Sequence, residues 1–261
     1  MTQTSEAAFA SIDQLAYAGM YGDQTAPVYD LMYPSGPNDE ECADFVAGLL
    51  PAGASVLELG VGTGRLAVPL VDKGFRVHGV DASQGMLAKL AERDPEGRVG
   101  VTHATFTDYR LDERFDLVLG SFNALCLLQS SDDQVAALRN ARAHLAPGGR
   151  VVLETFEPAK FHSQQQTEMN TYPLGPNSVV IESMKTVRAL QLIFLTTSIF
   201  DESSKPEVAV TFLRYIWPGE LDQMAARAGL RLVERFAGWK RQAVDDGAAV
   251  YVSVFEADDQ A

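Results

Sequence analysis

The feature that most constrains this fold is a glycine-rich turn between an apolar strand pattern and a helix pattern, in residues 56–65 (VLELGVGTGR). Glycine is needed where a backbone turns sharply and approaches a ligand closely, because a side chain would collide there. Gly60, Gly62 and Gly64 follow the strand directly, and Glu58 stands just before them. The segment predicts a ligand-binding turn at the carboxyl end of a strand.

The sequence around this turn alternates between strand and helix patterns. Strands are predicted at residues 55–59, 76–80, 99–103, 115–120 and 151–155, and helices at residues 39–50, 65–73, 84–93 and 132–145. Asp39 is expected to cap the first helix, and the proline and glycines of residues 147–149 to end the last. Strands that alternate with helices through short connections form a parallel sheet with crossover helices.

The alternation stops after Pro158. Residues 157–177 are expected to be loop-like, and the β-rich runs at residues 179–189, 191–200 and 207–217 predict an antiparallel meander. A helix at residues 218–228 and strands at 231–237 and 249–256 end the chain. The predicted division is an N-terminal lid segment (1–40), a ligand-binding domain (41–156 with 216–261) and an antiparallel β insertion (157–215).

The ligand is predicted from two acidic positions. Asp81 ends the second strand, about 20 residues after the glycine turn, where a carboxylate can accept both hydroxyls of a ribose. A dinucleotide pattern would require glycine at position 65, but Arg65 stands there and Gly64 comes one residue earlier. The Glu58 carboxylate would repel a pyrophosphate but could bind an amino-acid ammonium group. These features favour a nucleoside that carries an amino acid.

The spacing resembles motif I of the class I S-adenosylmethionine (SAM)-dependent methyltransferases. Asp81 matches the ribose-binding acid of that family, residues 115–118 (FDLV) resemble its fourth strand, and residues 145–149 (LAPGG) its turn before strand five. The resemblance covers residues 40–156 and 216–256. It implies an α/β fold with a Rossmann-like, doubly wound, seven-stranded sheet and a reversed last hairpin, to which this chain adds a small antiparallel β insertion after strand five.

The resemblance also implies the residues that bind SAM and release S-adenosylhomocysteine. Residues 58–64 should face the methionine part of SAM and Asp81 its ribose, while Ala82 and Met86 pack near the adenine. Thr105 and Phe106 should line the adenine pocket. Many relatives carry Asp at the position of Thr105, so here a hydroxyl or the backbone must accept from the adenine amino group. The predicted cofactor-binding residues are Tyr29, Glu58, Gly60, Gly62, Gly64, Asp81, Ala82, Met86, Thr105, Phe106 and Ser121.

Shorter segments resemble bacterial natural-product N-methyltransferases. Residues 29–33 and 215–221 are similar to the aminosugar N,N-dimethyltransferases, and residues 123–128, 158–161 and 171–175 to the cypemycin-type peptide N-terminal methyltransferases. Tyr33 matches a tyrosine near the transferring methyl group of the sugar enzymes, whereas their histidine after strand four is Leu127 here. The resemblance implies methyl transfer to a small molecule or peptide, at an amine nitrogen, in natural-product biosynthesis.

Three residues are predicted to act on the substrate. Tyr33 lies in the lead-in that should close over SAM, and Asn123 follows strand four, where a substrate-orienting group is expected. Glu154 lies near the end of strand five, where its carboxylate could meet a substrate amine or point outward. His162 is expected to be exposed to solvent or to act as a base. No metal-binding spacing is present, so no metal is predicted.

The net charge and composition limit the classes of substrate and partner that this chain is expected to bind. A formal net charge of −14 argues against a nucleic-acid substrate. Two cysteines without a pairing pattern, and no apolar run of about 18 residues, predict a cytoplasmic protein outside the membrane. The insertion should shape the substrate site or form a homodimer surface. The alternatives are an O-methyltransferase, an NAD-dependent oxidoreductase, which Arg65 disfavours, and a catalytically silent SAM-binding scaffold.

Overall fold

The glycine-rich turn lies at the centre of a seven-stranded sheet in the computed structural model, which describes residues 14–163, 166–202 and 206–258. The strands of the molecule are β1 (Ser55–Leu59), β2 (Arg76–Asp81), β3 (Gly100–His103), β4 (Phe115–Gly120), β5 (Leu145–Phe156), β6 (Glu168–Gly175), β7 (Ser178–Val187), β8 (Leu192–Phe200), β9 (Glu207–Arg214), β10 (Leu230–Phe236) and β11 (Val250–Ala257). The large sheet has the order β10-β11-β5-β4-β1-β2-β3, and β11 runs in the direction opposite to the other six strands. The predicted fold class, with its reversed last hairpin, is confirmed.

Helices cover both faces of this sheet. They are α1 (Gln14–Thr25), α2 (Tyr29–Met32), α3 (Pro37–Ala47), α4 (Ala67–Asp72), α5 (Gln84–Arg93), α6 (Ser131–Ala143), α7 (Ala159–Ser163) and α8 (Pro218–Arg227), with 3-10 turns at Ala124–Leu127 and Arg188–Leu190. Every residue of β1 is buried, and its alternate side chains enter two separate cores. One core contains apolar residues of α6 and α8 and the other those of α3 and α4. Burial on both faces explains why the central strands are mostly apolar.

Two of the predicted helix ends are wrong. The first predicted helix begins at Pro37, and the Asp39 carboxylate accepts a hydrogen bond from Gly36 N–H (3.0 Å), so Asp39 lies inside the first turn rather than at the cap. The helix predicted at residues 132–145 ends at Ala143. Strand β5 already begins at Leu145, so residues 147–149 lie within the strand and do not end the helix. Pairing of Phe115 with Leu145 determines this early start.

The insertion contains one strand more than predicted. Residues 157–177, expected to be loop-like, hold α7 and β6, and β6 pairs with β7 in an antiparallel sheet of order β6-β7-β8-β9. A small apolar cluster joins α2 to this sheet and contains Met32, Val180 and Ile199. The four-stranded sheet and the N-terminal helices therefore lie together. The division into residues 1–40, 41–156 with 216–261, and 157–215 stays a prediction. No helix within the described ranges is long and apolar enough to cross a membrane.

Candidate active site

A cavity of about 480 Å³ lies at the carboxyl ends of β1, β2 and β4. Its wall also includes residues of α1, of the segment after β4 and of β9. The residues that line it are Ala18, Met20, Tyr21, Gly22, Tyr29, Gly60, Gly62, Asp81, Ser83, Met86, Thr105, Thr107, Ser121, Phe122, Ala124, Leu127, Leu128, Gln129, Asp133, Val210, Thr211 and Phe212. Seven of the predicted cofactor-binding residues are among them, namely Tyr29, Gly60, Gly62, Asp81, Met86, Thr105 and Ser121.

Two glycines of the turn serve different purposes. Gly62 and Gly64 both have a left-handed backbone, with φ of +55° and +77°. A Cβ at Gly64 would lie 2.3 Å from Leu90 Cδ1, so this glycine allows α5 to pack against the turn. A Cβ at Gly62 would meet no protein atom closer than Gly60 O, at 3.9 Å, and Gly62 lines the cavity. The bare backbone of Gly62 therefore leaves room for a ligand.

We expect Gly62→Val to abolish SAM binding, a loss of about a hundredfold or more, because the side chain would occupy the ligand's space. Gly74→Val is the matched control, since Gly74 also has a left-handed φ (+88°), has no atom near its Cβ position and does not line the cavity. Both variants should lose about 1–2 kcal/mol of stability from the left-handed conformation. Calorimetric titration with SAM measures this loss. Normal affinity of Gly62→Val would show that the ligand does not occupy the space beside Gly62.

Asp81 connects the turn to the cavity. Its carboxylate accepts hydrogen bonds from Gly62 N–H (2.8 Å) and Ser83 N–H (2.9 Å). Burial raises the pKa of Asp81, and these two backbone donors oppose that rise. A carboxylate oxygen has two lone pairs, so each Asp81 oxygen can accept a second hydrogen bond from the cavity side. This arrangement fits the two hydroxyls of a ribose.

Glu58 lies behind the turn and is not part of the cavity wall. Its side chain is buried, and its Oε2 atom has no hydrogen-bond partner in the described ranges. Burial raises the pKa of Glu58 to about 8, although the nearby Arg65 guanidinium opposes the shift. Buried polar atoms without partners are rare in native proteins. A positive charge at the glycine turn would stabilise the ionised form of this buried carboxyl, so the residues present fit an amino-acid moiety with its ammonium group.

Arg65 occupies the position that a dinucleotide-binding turn would give to glycine. Its guanidinium forms a 3.1 Å ion pair with Asp39 and lies 4.4 Å from the ring centroid of Phe122. The same positive charge opposes the raised pKa values of the buried carboxyls Glu58 and Glu154. The positive charge of Arg65 therefore partly offsets the negative charge of the buried carboxyl groups next to the turn.

Thr105, at the position where many relatives carry aspartate, lines the cavity. Its hydroxyl donates to Asp108 Oδ1 (2.5 Å) and also contacts the Thr107 hydroxyl (2.9 Å). Because the proton points to Asp108, an oxygen lone pair of Thr105 remains available to accept a hydrogen bond in the cavity. Phe106 and Ala82, both predicted near the adenine, do not line the cavity. Phe106 belongs to the core, and Ala82 O accepts from the His103 ring.

The N-terminal helix α1 packs closely on the turn after β2. A Cβ at Gly19 would lie 2.2 Å from Ala82 O, and one at Gly22 would lie 2.5 Å from Ser83 Cβ. Asp23 Oδ1 accepts hydrogen bonds from Ser83 Oγ (2.7 Å) and Gly85 N–H (2.8 Å). This close approach places α1 over the part of the cavity that Asp81 and Met86 line.

Helix α2 is attached to the glycine turn itself. Asp30 accepts from the Thr63 hydroxyl (2.7 Å) and from Arg93 (2.6 Å). Tyr29 lines the cavity, and burial raises its pKa to about 12. The described part of the lead-in, which begins at residue 14, therefore contributes to the cavity wall. The first 13 residues of the predicted lid lie outside the described residues.

None of the three predicted catalytic residues lines the cavity. The Tyr33 hydroxyl donates to Glu182 Oε1 (2.8 Å), in the four-stranded sheet. Glu154 is buried and accepts a hydrogen bond from Phe122 N–H (2.5 Å), so it supports the loop after β4. The Asn123 Oδ1 atom is buried without a partner in the described structure. The substrate contacts expected of Tyr33, Asn123 and Glu154 stay predictions.

The loop after β4 presents a different residue to the cavity. Phe122 and Asn123 both have a left-handed backbone, with φ of 49° and 62°. Such conformations are strained for residues other than glycine and persist where the surroundings hold them. Glu154 holds this loop through Phe122 N–H, and Phe122 lines the cavity. A lone phenylalanine after a strand gave no sequence signal for this role, and neither did Tyr21 among the many N-terminal tyrosines.

The comparisons with known proteins agree on one family. Residues 56–149 match the methyltransferase domain family. The cypemycin N-terminal methyltransferase of a Streptomyces species is 31% identical over 232 residues, which cover 88% of this chain and 91% of that protein. A dTDP-3-amino-3,6-dideoxy-alpha-D-glucopyranose N,N-dimethyltransferase of Streptomyces fradiae is 32% identical over 141 residues, 52% of this chain and 54% of that protein.

Solved structures extend this similarity over nearly the whole chain. The CcbJ methyltransferase from Streptomyces caelestis superimposes with a TM-score of 0.83 and 37% sequence identity, over 92% of this chain and 98% of that chain. The SAM-bound amino pentose methyltransferase CalS10 from Micromonospora echinaspora shares the fold, with a TM-score of 0.68 and 24% identity over 87% and 96% of the two chains. Fold, motif and long relatives point to the same family.

Proposed function

The chain belongs to the family of SAM-dependent methyltransferases, and from this premise we propose that it methylates an amine nitrogen of a small molecule or peptide in natural-product biosynthesis. SAM supplies a methyl group already activated on a sulfonium. The protein must therefore bind the cofactor, hold the acceptor nitrogen in line at roughly 3 Å and exclude water. The parts of this chain suited to those tasks are the glycine turn, Asp81 and helix α1, which covers part of the cavity.

The composition of the cavity wall supports an amine acceptor most directly. No histidine, lysine, cysteine or glutamate lines the cavity in the described ranges, and its titratable groups are Tyr21, Tyr29, Asp81 and Asp133. Methylation of a phenol or an acidic carbon needs a general base at the reacting atom, whereas a neutral amine attacks without one. The aromatic rings of Tyr29 and Phe122 can stabilise the positive charges of cofactor and substrate. Of the two carboxylates, Asp81 accepts from the glycine turn and Asp133 from the Ser130 hydroxyl (2.6 Å), so this wall favours the amine over the alternative hydroxyl acceptor.

The relatives support the same acceptor class. The cypemycin enzyme is named for methylation of an N-terminus, and the similarity to it spans most of both chains. The aminosugar enzyme is named for N,N-dimethylation, and this chain covers about half of it. We therefore place peptide N-termini first among the candidate acceptors and amino sugars second.

We expect wild-type enzyme to methylate a short peptide with a free N-terminal alanine, or an amino sugar, and to release S-adenosylhomocysteine. Because only the neutral amine attacks, kcat/KM should rise about tenfold per pH unit below the amine pKa and level off above it. Tandem mass spectrometry would locate the new methyl group. The control acceptor is the same peptide with its amino group replaced by hydroxyl, and methylation of the hydroxyl control alone would refute the amine assignment.

We also propose that the four-stranded sheet contributes a homodimer surface. Met169, Phe200 and Val208 of this sheet are large apolar residues with 67%, 40% and 51% exposure. Exposed apolar side chains on one structural unit are typical of interaction surfaces. Light scattering of the purified protein tests this proposal, and a monomer at high concentration would exclude it.

A further inference from the structure

Four large apolar residues line the cavity and are nevertheless exposed to solvent. Met20, Phe122, Leu127 and Val210 are each 38–40% exposed, and all four belong to the cavity wall. They come from three separate parts of the fold, namely helix α1, the segment after β4 and strand β9. Single exposed apolar residues are common, but a group that meets at one cavity is typical of a surface that binds an apolar ligand. We call these four residues the apolar rim.

The apolar rim belongs largely to the part of the wall that the predicted cofactor residues leave free. Helix α1, the 3-10 turn at Ala124–Leu127 and strand β9 contain none of the predicted cofactor-binding residues, yet each contributes to the cavity wall. Phe122 follows Ser121, which is one of those residues, so it stands in sequence at the boundary between the two parts. The apolar rim is therefore available to the acceptor.

No cation accompanies the apolar rim in the part of the chain that the structure describes. The cavity wall there contains no lysine, arginine or histidine, and its two carboxylates are Asp81 and Asp133. The Arg65 guanidinium lies 4.4 Å from the Phe122 ring centroid, but it is ion-paired with Asp39 and does not line the cavity. A phosphate or carboxylate of the acceptor would lose water here without gaining a cationic partner, which costs free energy. The wall is therefore unsuited to an acceptor with an anionic group near its amine.

Contacts outside the cavity hold the apolar surface in place. The Phe122 ring packs edge-on against the Tyr33 ring, with 5.3 Å between centroids, and the Phe122 N–H donates to Glu154. On β9, Phe212 also lines the cavity, and its ring packs against that of Phe194 with 4.6 Å between centroids. Side chains fixed in this way lose little freedom when a ligand covers them, so more of the free energy of apolar burial is available for binding.

We propose that this enzyme selects amine acceptors that carry an apolar group next to the nitrogen and no anionic group there, with the apolar rim as the specificity-determining surface. This inference rests on the proposed amine acceptor. An apolar group of the acceptor would remove both itself and the rim from water, and the gain scales with the apolar area buried. Among peptide N-termini, the rim favours an apolar first side chain over a polar or an acidic one.

The test compares three peptides that differ only in their first residue, which is leucine, asparagine or aspartate. These three side chains have similar shapes and differ in polarity and charge. The reaction is run at about pH 9.5, above the pKa of about 8 of a peptide amino group, so that each acceptor nitrogen is neutral. We expect kcat/KM to fall about tenfold from leucine to asparagine and about tenfold again from asparagine to aspartate. Equal kcat/KM for the three peptides would overturn the proposal while leaving the amine acceptor intact.

Val210→Lys tests the apolar rim directly, because it places a cation at an exposed position of the wall. The preference for asparagine over aspartate should disappear, and the advantage of leucine should shrink to about threefold or less. SAM affinity by calorimetry should be unchanged. Unchanged preferences in this variant, or a loss of SAM affinity, would show that Val210 does not face the acceptor and would overturn the proposal.

Val233→Lys is the matched control. Val233 is 39% exposed, lies in β10, which like β9 is the edge strand of its sheet, and does not line the cavity. Its preferences among the three peptides should follow wild type, and a change like that of Val210→Lys would overturn the role of the rim. If wild type methylates only hydroxyl acceptors, the proposed function fails and this inference fails with it.

Discussion

Replacing Asp81 by alanine is expected to lower SAM affinity by two orders of magnitude or more. The carboxylate lines the cavity and also holds Gly62 N–H and Ser83 N–H, so its loss removes ribose acceptors and frees the turn. Two charge-assisted hydrogen bonds of about 1.5–3 kcal/mol each correspond to a loss of about 10²–10⁴-fold. Isothermal titration with SAM measures this loss directly.

Asp94→Ala is the control for the loss of a buried aspartate. Asp94 accepts from Val99 N–H (2.8 Å) and Arg98 (2.9 Å) after the end of α5, and it does not line the cavity. Without ligand, the Asp94→Ala protein should melt at a lower temperature than wild type. Adding SAM should still raise the melting temperature of this variant. In Asp81→Ala, SAM should no longer do so, because a ligand stabilises the folded state only as far as it binds. Normal affinity of Asp81→Ala would place the ribose elsewhere.

Valine at Gly19 is expected to remove nearly all turnover, and valine at Gly22 should act similarly. A Cβ at Gly19 would lie 2.2 Å from the backbone oxygen of Ala82, so α1 must move away from the cofactor turn. A displaced cover admits water and releases the acceptor, and a displacement of about 1 Å at an active site can cost a hundredfold in rate. Deletion of residues 1–35 should have at least the same effect, because it also removes Tyr21 and Tyr29.

Gly219→Val is the control for glycine replacement within a helix, since no atom lies within 4 Å of its Cβ position. It should retain turnover. Steady-state release of S-adenosylhomocysteine, measured at saturating SAM, separates loss of the cover from loss of cofactor affinity. Full activity of the Gly19→Val protein, or of the protein without residues 1–35, would show that the N-terminal helices do not close the site.

Residues 56–65 and Asp81 could be placed from the sequence because each role depends on local backbone. A turn that needs a left-handed residue selects glycine, and a strand that ends at the cavity brings its last side chain to the same edge. The central strands were predictable for a related reason, since burial on both faces requires a continuous apolar run. The end of α6 could not be predicted in this way. Pairing with β4 starts strand β5 at Leu145, before the proline and glycines of residues 147–149.

The sequence by itself determined the α/β class, the glycine turn and the position of Asp81 at the end of β2, because these depend on contacts between residues close along the chain. Only the tertiary structure decided which side chains line the cavity. Tyr21 and Phe122, which line it, come from a helix and a loop, and β6 forms only because β7 pairs with it. Tyr33 and Glu154 lie close along the sequence to residues that line the cavity. They do not line it themselves, because Tyr33 is hydrogen-bonded to Glu182 and Glu154 to Phe122 N–H. Side-chain direction and long-range packing carry no local sequence signal.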